Sequence, residues 1–179
     1  ALRKDGRYFV ETKAVAYAPS ASVLDFCMSR ERSAHDSVLA VGNPNLKNPA
    51  FRLYHAEEEV RDIAQLFEES ALLTGADATE TAVCARAPEF DVLHFACHGE
   101  LNLDQPLLTS LRLTPDDEND GYLHAGEIFD YRLDASLAVL SACNTGLGEL
   151  THGNEVMGLT RSFFYAGVPS VLASLWKVD

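Results

Sequence analysis

Two residues of this chain stand where nucleophilic chemistry could be done. His98 closes the apolar run that begins at Val92, and Cys143 closes the run that begins at Leu137. A thiol attacks as its thiolate, so it needs a neighbour that takes its proton and later a donor for the leaving amine. Imidazole, whose unperturbed pKa is near 6.5, can do both. The two positions are 143 − 98 = 45 residues apart; no local turn bridges that distance, but adjacent parallel strands would bring both carboxyl ends to one edge. Each residue is followed by a glycine-containing turn, Gly99 and Asn144-Thr145-Gly146. Attack on an amide develops negative charge on oxygen, best met by fixed backbone N–H donors, and the N–H groups of Gly99 and Cys143 are the candidates. Taken singly, each residue also fits a structural role: cysteine is among the most buried residue types, and a histidine at a strand end can simply bond a carbonyl.

Other chemistry is less well supported by spacing. His94 lies two pleats before His98, so in a regular strand both face one way, and it could orient the catalytic groups or contact substrate; it also fits as a packed core histidine. Cys97 should face the other way, which argues against a tetrahedral metal site built from His94, Cys97 and His98, and no metal or cofactor is expected. The glycines from Gly146 to Gly153 precede a helix but lack both the dinucleotide spacing and a Gly-Lys-Ser/Thr ending. That loop is better read as a border of the cleft, with Glu149, Asn154 and Glu155 available to a substrate, and Trp176 as a further wall of the groove. Glu57, Glu58 and Glu59 read as a solvated helix start, and Asp116 to Asp120 as a solvated turn.

The elements that must position these residues alternate. A hairpin is expected from Tyr8-Phe9-Val10 and Ala14 to Tyr17, then a helix starting after Pro19-Ser20 whose stripe of Val23, Leu24, Cys27 and Met28 reads as core. Ser37 to Gly42 is a strand buried on both faces. His55 to Glu69 is a helix, Ala71 to Leu73 a strand, Thr79 to Arg86 a helix capped by Thr79, and Asp91 to Cys97 a strand. Leu107 to Leu113 is extended, a polar turn over Pro115 to Gly121 leads to Tyr122-Leu123-His124, and Ala125 to Tyr131 is a short helix. Leu137 to Ala142 is a buried strand, Asn154 to Ala166 a helix stopped by Gly167, and Val168 to Trp176 a last strand. Buried strands alternating with amphipathic helices predict an α/β fold with a mostly parallel sheet covered on both faces. Ligands then collect at the carboxyl ends of the strands.

With 179 residues, 47% hydrophobic and 23% charged, the chain fits one domain with a sizeable core. A net charge of −13 repels phosphate backbones and anionic lipid, which argues against nucleic acid and membrane partners. No apolar run approaches the roughly 20 residues of a membrane span, and no secretory signal opens the chain, so a cytoplasmic location is expected. Cys27, Cys84, Cys97 and Cys143 form no Cys-x-x-Cys pair and read as free thiols. The absence of an initial Met and the apolar ending suggest a piece of a longer protein.

Three segments carry a family resemblance: His94-Phe95-Ala96-Cys97-His98-Gly99, Leu140-Ser141-Ala142-Cys143-Asn144-Thr145-Gly146 and Ala173-Ser174-Leu175-Trp176-Lys177-Val178. They resemble the signature segments of the CHAT domain, a family of caspase-like cysteine peptidases related to separases and caspases. Flanking stretches such as Val41-Gly42-Asn43-Pro44 and Gly158-Leu159-Thr160-Arg161 extend the resemblance over nearly the whole chain. It implies a caspase-like three-layer α/β/α sandwich in a single domain, residues 1–179, with a hairpin and helix over residues 1–36 and the core over residues 37–179. It implies a cysteine endopeptidase with His98 as general acid/base, Cys143 as nucleophile and the Gly99 and Cys143 N–H groups as oxyanion hole. The substrate would be a polypeptide, and a tetratricopeptide or other sensing region in a longer, typically bacterial parent would control it. Family domains continue past the Ser-Leu-Trp segment, so a C-terminally incomplete pocket is expected. The competing expectation is a catalytically inactive interaction module on the same frame.

Overall fold

The computed structural model describes residues 3–4, 6–30, 36–102, 104–141 and 155–173. Short strands β1 (Arg3–Lys4) and β2 (Arg7–Tyr8) pair antiparallel ahead of helix α1 (Ala21–Ser29). The alternating core follows as β3 (Ser37–Pro44), α2 (Ala56–Ala64), β4 (Glu69–Gly75), α3 (Glu80–Arg86) and β5 (Val92–Ala96). After β5 come three short strands and a one-turn helix: β6 (His98–Glu100), β7 (Ser110–Arg112), β8 (Tyr122–His124) and α4 (Ala125–Ile128). The described part closes with β9 (Leu137–Leu140), α5 (Glu155–Ala166) and β10 (Val171–Ala173).

Among the described residues the main sheet has five parallel strands in the order β10-β9-β5-β3-β4. The apolar strand runs account for it: β3 and β5 are buried at every position, as strands covered on both faces must be. On one face Ala56 and Val60 of α2 pack on Val38, Ala40, Val92 and Ala96. On the other, Leu39, Val41, Leu93 and Phe95 meet Val83 of α3, Ile128 of α4, and Leu159 and Phe163 of α5. The result is a three-layer α/β/α sandwich. The chain passes from β3 to β4 on one side, then continues to β5 on the other, so the order reverses between β3 and β5, the kind of switch point at whose carboxyl ends open α/β sheets bind ligands.

Several elements differ from expectation. The hairpin lies earlier, with Gly6 at φ +79° in its turn, a left-handed conformation that Glu11-Thr12-Lys13 cannot supply cheaply; Phe9–Glu11 is instead one 3-10 turn. The α1 stripe is not core: no residue of the helix is buried, and Met28 is 74% exposed. Ser20 caps α1 through Val23 N–H, and Arg30 just beyond it ties the helix to the domain by bonding the Gly167 carbonyl and pairing with Asp134. The helix expected to reach Glu69 ends at Ala64, because Glu69 bonds the Asp36 carbonyl and opens β4. Pro106–Leu108 is a 3-10 turn, so extended structure begins only at Ser110. The Asp116 turn is built by its own side chains: Asp116 accepts from the Glu118 and Asn119 N–H groups, and Asn119 reaches Thr81 of α3. Among the described residues no helix is long and apolar enough to cross a membrane.

Two positions make the packing testable. Gly42 admits α2 so closely that an added Cβ would lie 2.6 Å from Val60 Cγ2 and 2.8 Å from the Ala56 carbonyl oxygen. Gly42→Ala should therefore destabilise the domain by about 1–3 kcal/mol in urea unfolding, the usual penalty for overpacking. Glu80, at the start of α3, is only 3% exposed, and its Oε2 has no hydrogen-bond partner among the described residues. Burial, and then the carboxylates of Glu127, Asp120 and Asp116, push its carboxyl up to about 7, against a smaller opposing pull from His124. The folded state thus holds this proton more tightly than the unfolded chain. Its contribution is complete below the ordinary carboxylate range and is lost as pH rises through about 7. Glu80→Gln should flatten that decline and raise stability at pH 8 by on the order of 2 kcal/mol, read from unfolding midpoints across pH.

Candidate active site

His98 sits past the end of β5, at the carboxyl edge of the main sheet. β5 stops at Ala96, Cys97 breaks the strand, and His98 opens β6, which turns away from the main sheet to pair with β7. The sequence reading placed a glycine turn here; the structure instead continues as a strand, with His98 opposite Arg112 and Gly99 opposite Leu111. The alternation of faces holds through the break. Val92 and Ala96 face α2, and His98 reaches the loop ahead of α2, while Cys97 points into the opposite core beside Leu111 and Phe95.

The His98 Nε2 lies 2.8 Å from the Phe51 carbonyl oxygen, and the Phe51 ring meets the imidazole edge-on at a centroid distance of 5.7 Å. A carbonyl can only accept, so Nε2 carries the hydrogen and donates it, and the lone pair falls on Nδ1. The bond that suggested a merely structural histidine therefore also sets the tautomer that a proton acceptor needs. Phe51 belongs to a 3-10 turn, Pro49–Phe51, whose N-cap Asn48 accepts from Ala50 N–H. Beyond it, the Leu53 N–H donates to Asn43 Oδ1 at the end of β3. The β3–α2 connection thus delivers the carbonyl to the imidazole.

β9 is the direct parallel neighbour of β5, with Phe95 beside Leu140. The adjacency that the proposed chemistry requires is present: the strand leading to His98 and the strand that precedes Cys143 by three residues end side by side. Cys143, Glu149, Asn154 and Trp176 lie outside the described residues, and Glu155 opens α5. Gly99 is buried at the second position of β6.

His94 is placed differently from a substrate contact. It is 4% exposed in the middle of β5, and its Nε2 lies 2.9 Å from Glu59 Oε1 on α2. Burial lowers its basicity, and the Glu59 carboxylate partly offsets this. Glu59 is thus only partly solvated, its carboxylate turned to His94, while Glu57 pairs with Arg61 along the helix. Sequence reasoning missed Glu59 and Phe51 as partners of the two histidines. It also missed Arg112, which shares a cross-strand row with His98, bonds Glu100 Oε2 at 2.7 Å and lies 3.9 Å from the Tyr122 ring centroid. Among the described residues no group of three or more His, Cys, Asp or Glu gathers as a metal ion would need.

The three described thiols are poor nucleophiles. Burial pushes Cys97 up to about 12. Burial also raises Cys84, against the smaller effect of its 2.6 Å contact with Tyr131 Oη, and raises Cys27 against the nearby Arg30 charge.

The whole chain, residues 1–179, matches the CHAT domain, and the protein belongs to that family. The family is related to the caspase-like peptidases, and the three-layer sandwich described above is the caspase-like fold. Among curated relatives, Tetratricopeptide repeat protein 28 of Homo sapiens is 27% identical over 186 residues, covering 82% of this chain, and the protein of the same name from Mus musculus is 28% identical over 178 residues, covering 77%. The chain spans 7% of the length of each of these relatives.

Proposed function

We propose that this CHAT domain is a cysteine endopeptidase acting on a polypeptide, with Cys143 as nucleophile and His98 as general acid/base. The observation that carries this reading is the His98 bond to the Phe51 carbonyl at the carboxyl end of β5, next to the strand that runs on to Cys143. In the proposed reaction His98 Nδ1 takes the thiol proton, and the Cys143 sulfur bonds to the scissile carbonyl carbon as the C=O electron pair moves to oxygen. The N–H groups of Gly99 and Cys143 hold that oxyanion. Its collapse breaks the C–N bond, and His98 returns the proton to the departing amine, leaving a thioester. His98 then deprotonates water, which adds to the thioester; collapse expels the Cys143 sulfur, which takes the proton back from His98, releasing the carboxylic acid and restoring the enzyme. Glu149, Asn154, Glu155 and Trp176 are proposed to border the substrate groove. The likeness to two proteins named for tetratricopeptide repeats supports a parent protein in which such a region accompanies this domain, and the role we propose for that region is to govern access to the site.

Limiting iodoacetamide across mildly acidic to alkaline pH tests the dyad. Cys143 should label about tenfold or more ahead of Cys27, Cys84 and Cys97, since those thiols are held up by burial, and His98→Ala should erase that lead. Equal labelling of all four would instead support an interaction module. On a protein substrate, Cys143→Ala should reduce cleavage by on the order of 10³-fold or more. Undiminished cleavage would reject the reading.

A further inference from the structure

His94 and His98 stand four residues apart on one face of the β5 path, and they grip the two ends of a single stretch of chain. His98 holds the carbonyl of Phe51, and His94 holds the carboxylate of Glu59. We propose that His94 and Glu59 are positioning residues, which fix α2 along β5 so that the Phe51 carbonyl stays on His98 Nε2. The proposal rests on the peptidase reading only for its consequence at Cys143.

The surroundings of His94 explain why a polar pair would matter there. The contact between α2 and β5 is otherwise apolar, made by Ala56 and Val60 against Val92 and Ala96. Apolar burial is non-directional and leaves a helix free to slide or rotate by small amounts over a strand. The imidazole–carboxylate bond is directional, and among the described residues it is the only hydrogen bond joining α2 to β5. A leucine would satisfy an apolar site without needing a partner, whereas a buried imidazole demands one. What the pair adds is a fixed alignment.

The stretch between the two grips can transmit that alignment. Leu53 N–H is held by Asn43 Oδ1 at 3.0 Å, Ala56 N–H by the Leu53 carbonyl at 3.2 Å, and Glu59 N–H by the His55 carbonyl at 2.9 Å. Each link is hydrogen-bonded to the next or to β3, so a shift at Glu59 moves the turn that carries Phe51. His94, β5, His98, Phe51, α2 and Glu59 form a closed circuit, and the circuit fixes which nitrogen of His98 bears the hydrogen.

The test uses the intact chain and three variants: Glu59→Leu and His94→Leu, which remove the bond, and Glu59→Gln, which keeps an acceptor for a neutral imidazole. Ring ¹⁵N shifts of His98 at mildly alkaline pH report the ratio of its Nε2–H to Nδ1–H forms. In both Leu variants that ratio should fall about fivefold, the effect of losing one net hydrogen bond of ordinary strength, and in Glu59→Gln it should stay near the parent value. The pH profile of Cys143 alkylation should lose its lead in the same two variants. Glu59 is partly exposed on α2, so Glu59→Leu decides the matter if the buried His94→Leu does not fold. A folded Leu variant with the parent ratio overturns the proposal; so does unfolding of both, which would make the pair a requirement of the fold itself. If the ratio falls as expected in the Leu variants while Cys143 of the unsubstituted chain labels no faster than its other thiols, the peptidase reading is overturned and the positioning role stands.

Discussion

The alignment of β5 with its neighbours decides everything at the carboxyl edge of the sheet. A parallel strand that slipped by one residue would exchange its two faces and send His94 and His98 into the apolar core that now receives Phe95 and Cys97. The amino ends of the strands hold against this. Ser37 Oγ donates to Asp91 Oδ2 at 2.9 Å and accepts from the Asp91 N–H at the same distance, locking β3 to β5. The Asp91 carbonyl accepts from the Ser136 N–H at 2.7 Å, locking β5 to β9. The site stands at the opposite end of the sheet from these locks. It inherits their precision because β3 and β5 between them are stiffened by burial on both faces.

Burial on both faces also makes any polar side chain in β5 a demand on its surroundings. Phe95 and Leu93 need only apolar neighbours, whereas His94 must be met by a group that can share a hydrogen. That requirement was legible in the sequence: a histidine inside a doubly buried run announces a partner. Its identity was not, because Glu59 is one of three consecutive glutamates and nothing in their order says which one turns inward. Phe51 was harder still. The group that meets His98 is its backbone carbonyl, which every residue type possesses, so no residue pattern could single it out.

The long elements were readable for an ordinary reason. β3, β5 and β9 are predominantly apolar runs, and α2, α3 and α5 begin or end near residues whose chemistry marks a terminus, such as Thr79 accepting from Ala82 N–H. The short elements were not. β1 and β2 have two residues each, and β6, β7 and β8 three, too few for alternation to separate a strand from a turn. His98 and Cys143 were picked out as polar endings of apolar runs. The small sheet that carries His98 onward was invisible, since its pairing depends on contacts with Arg112 and Tyr122 far along the chain.

That small sheet completes the constraint on His98. Its inner row, Gly99, Leu111 and Leu123, packs inward, with Leu111 and Leu123 almost wholly buried, and its outer row carries His98, Arg112 and Tyr122. Cys97 anchors the kink between β5 and β6 by burying its thiol on the far face, so the residue after it must turn toward α2. His98 is therefore fixed from below by β5, from the side by the Phe51 carbonyl, and from above by β7. A general base is useful only when its ring is held to within a fraction of an ångström and its tautomer is settled beforehand. A loop histidine could reach the same point in space and would lose entropy each time it did so. Placing His98 at the junction of two sheets removes that loss in advance, which suits the general acid/base role proposed for it.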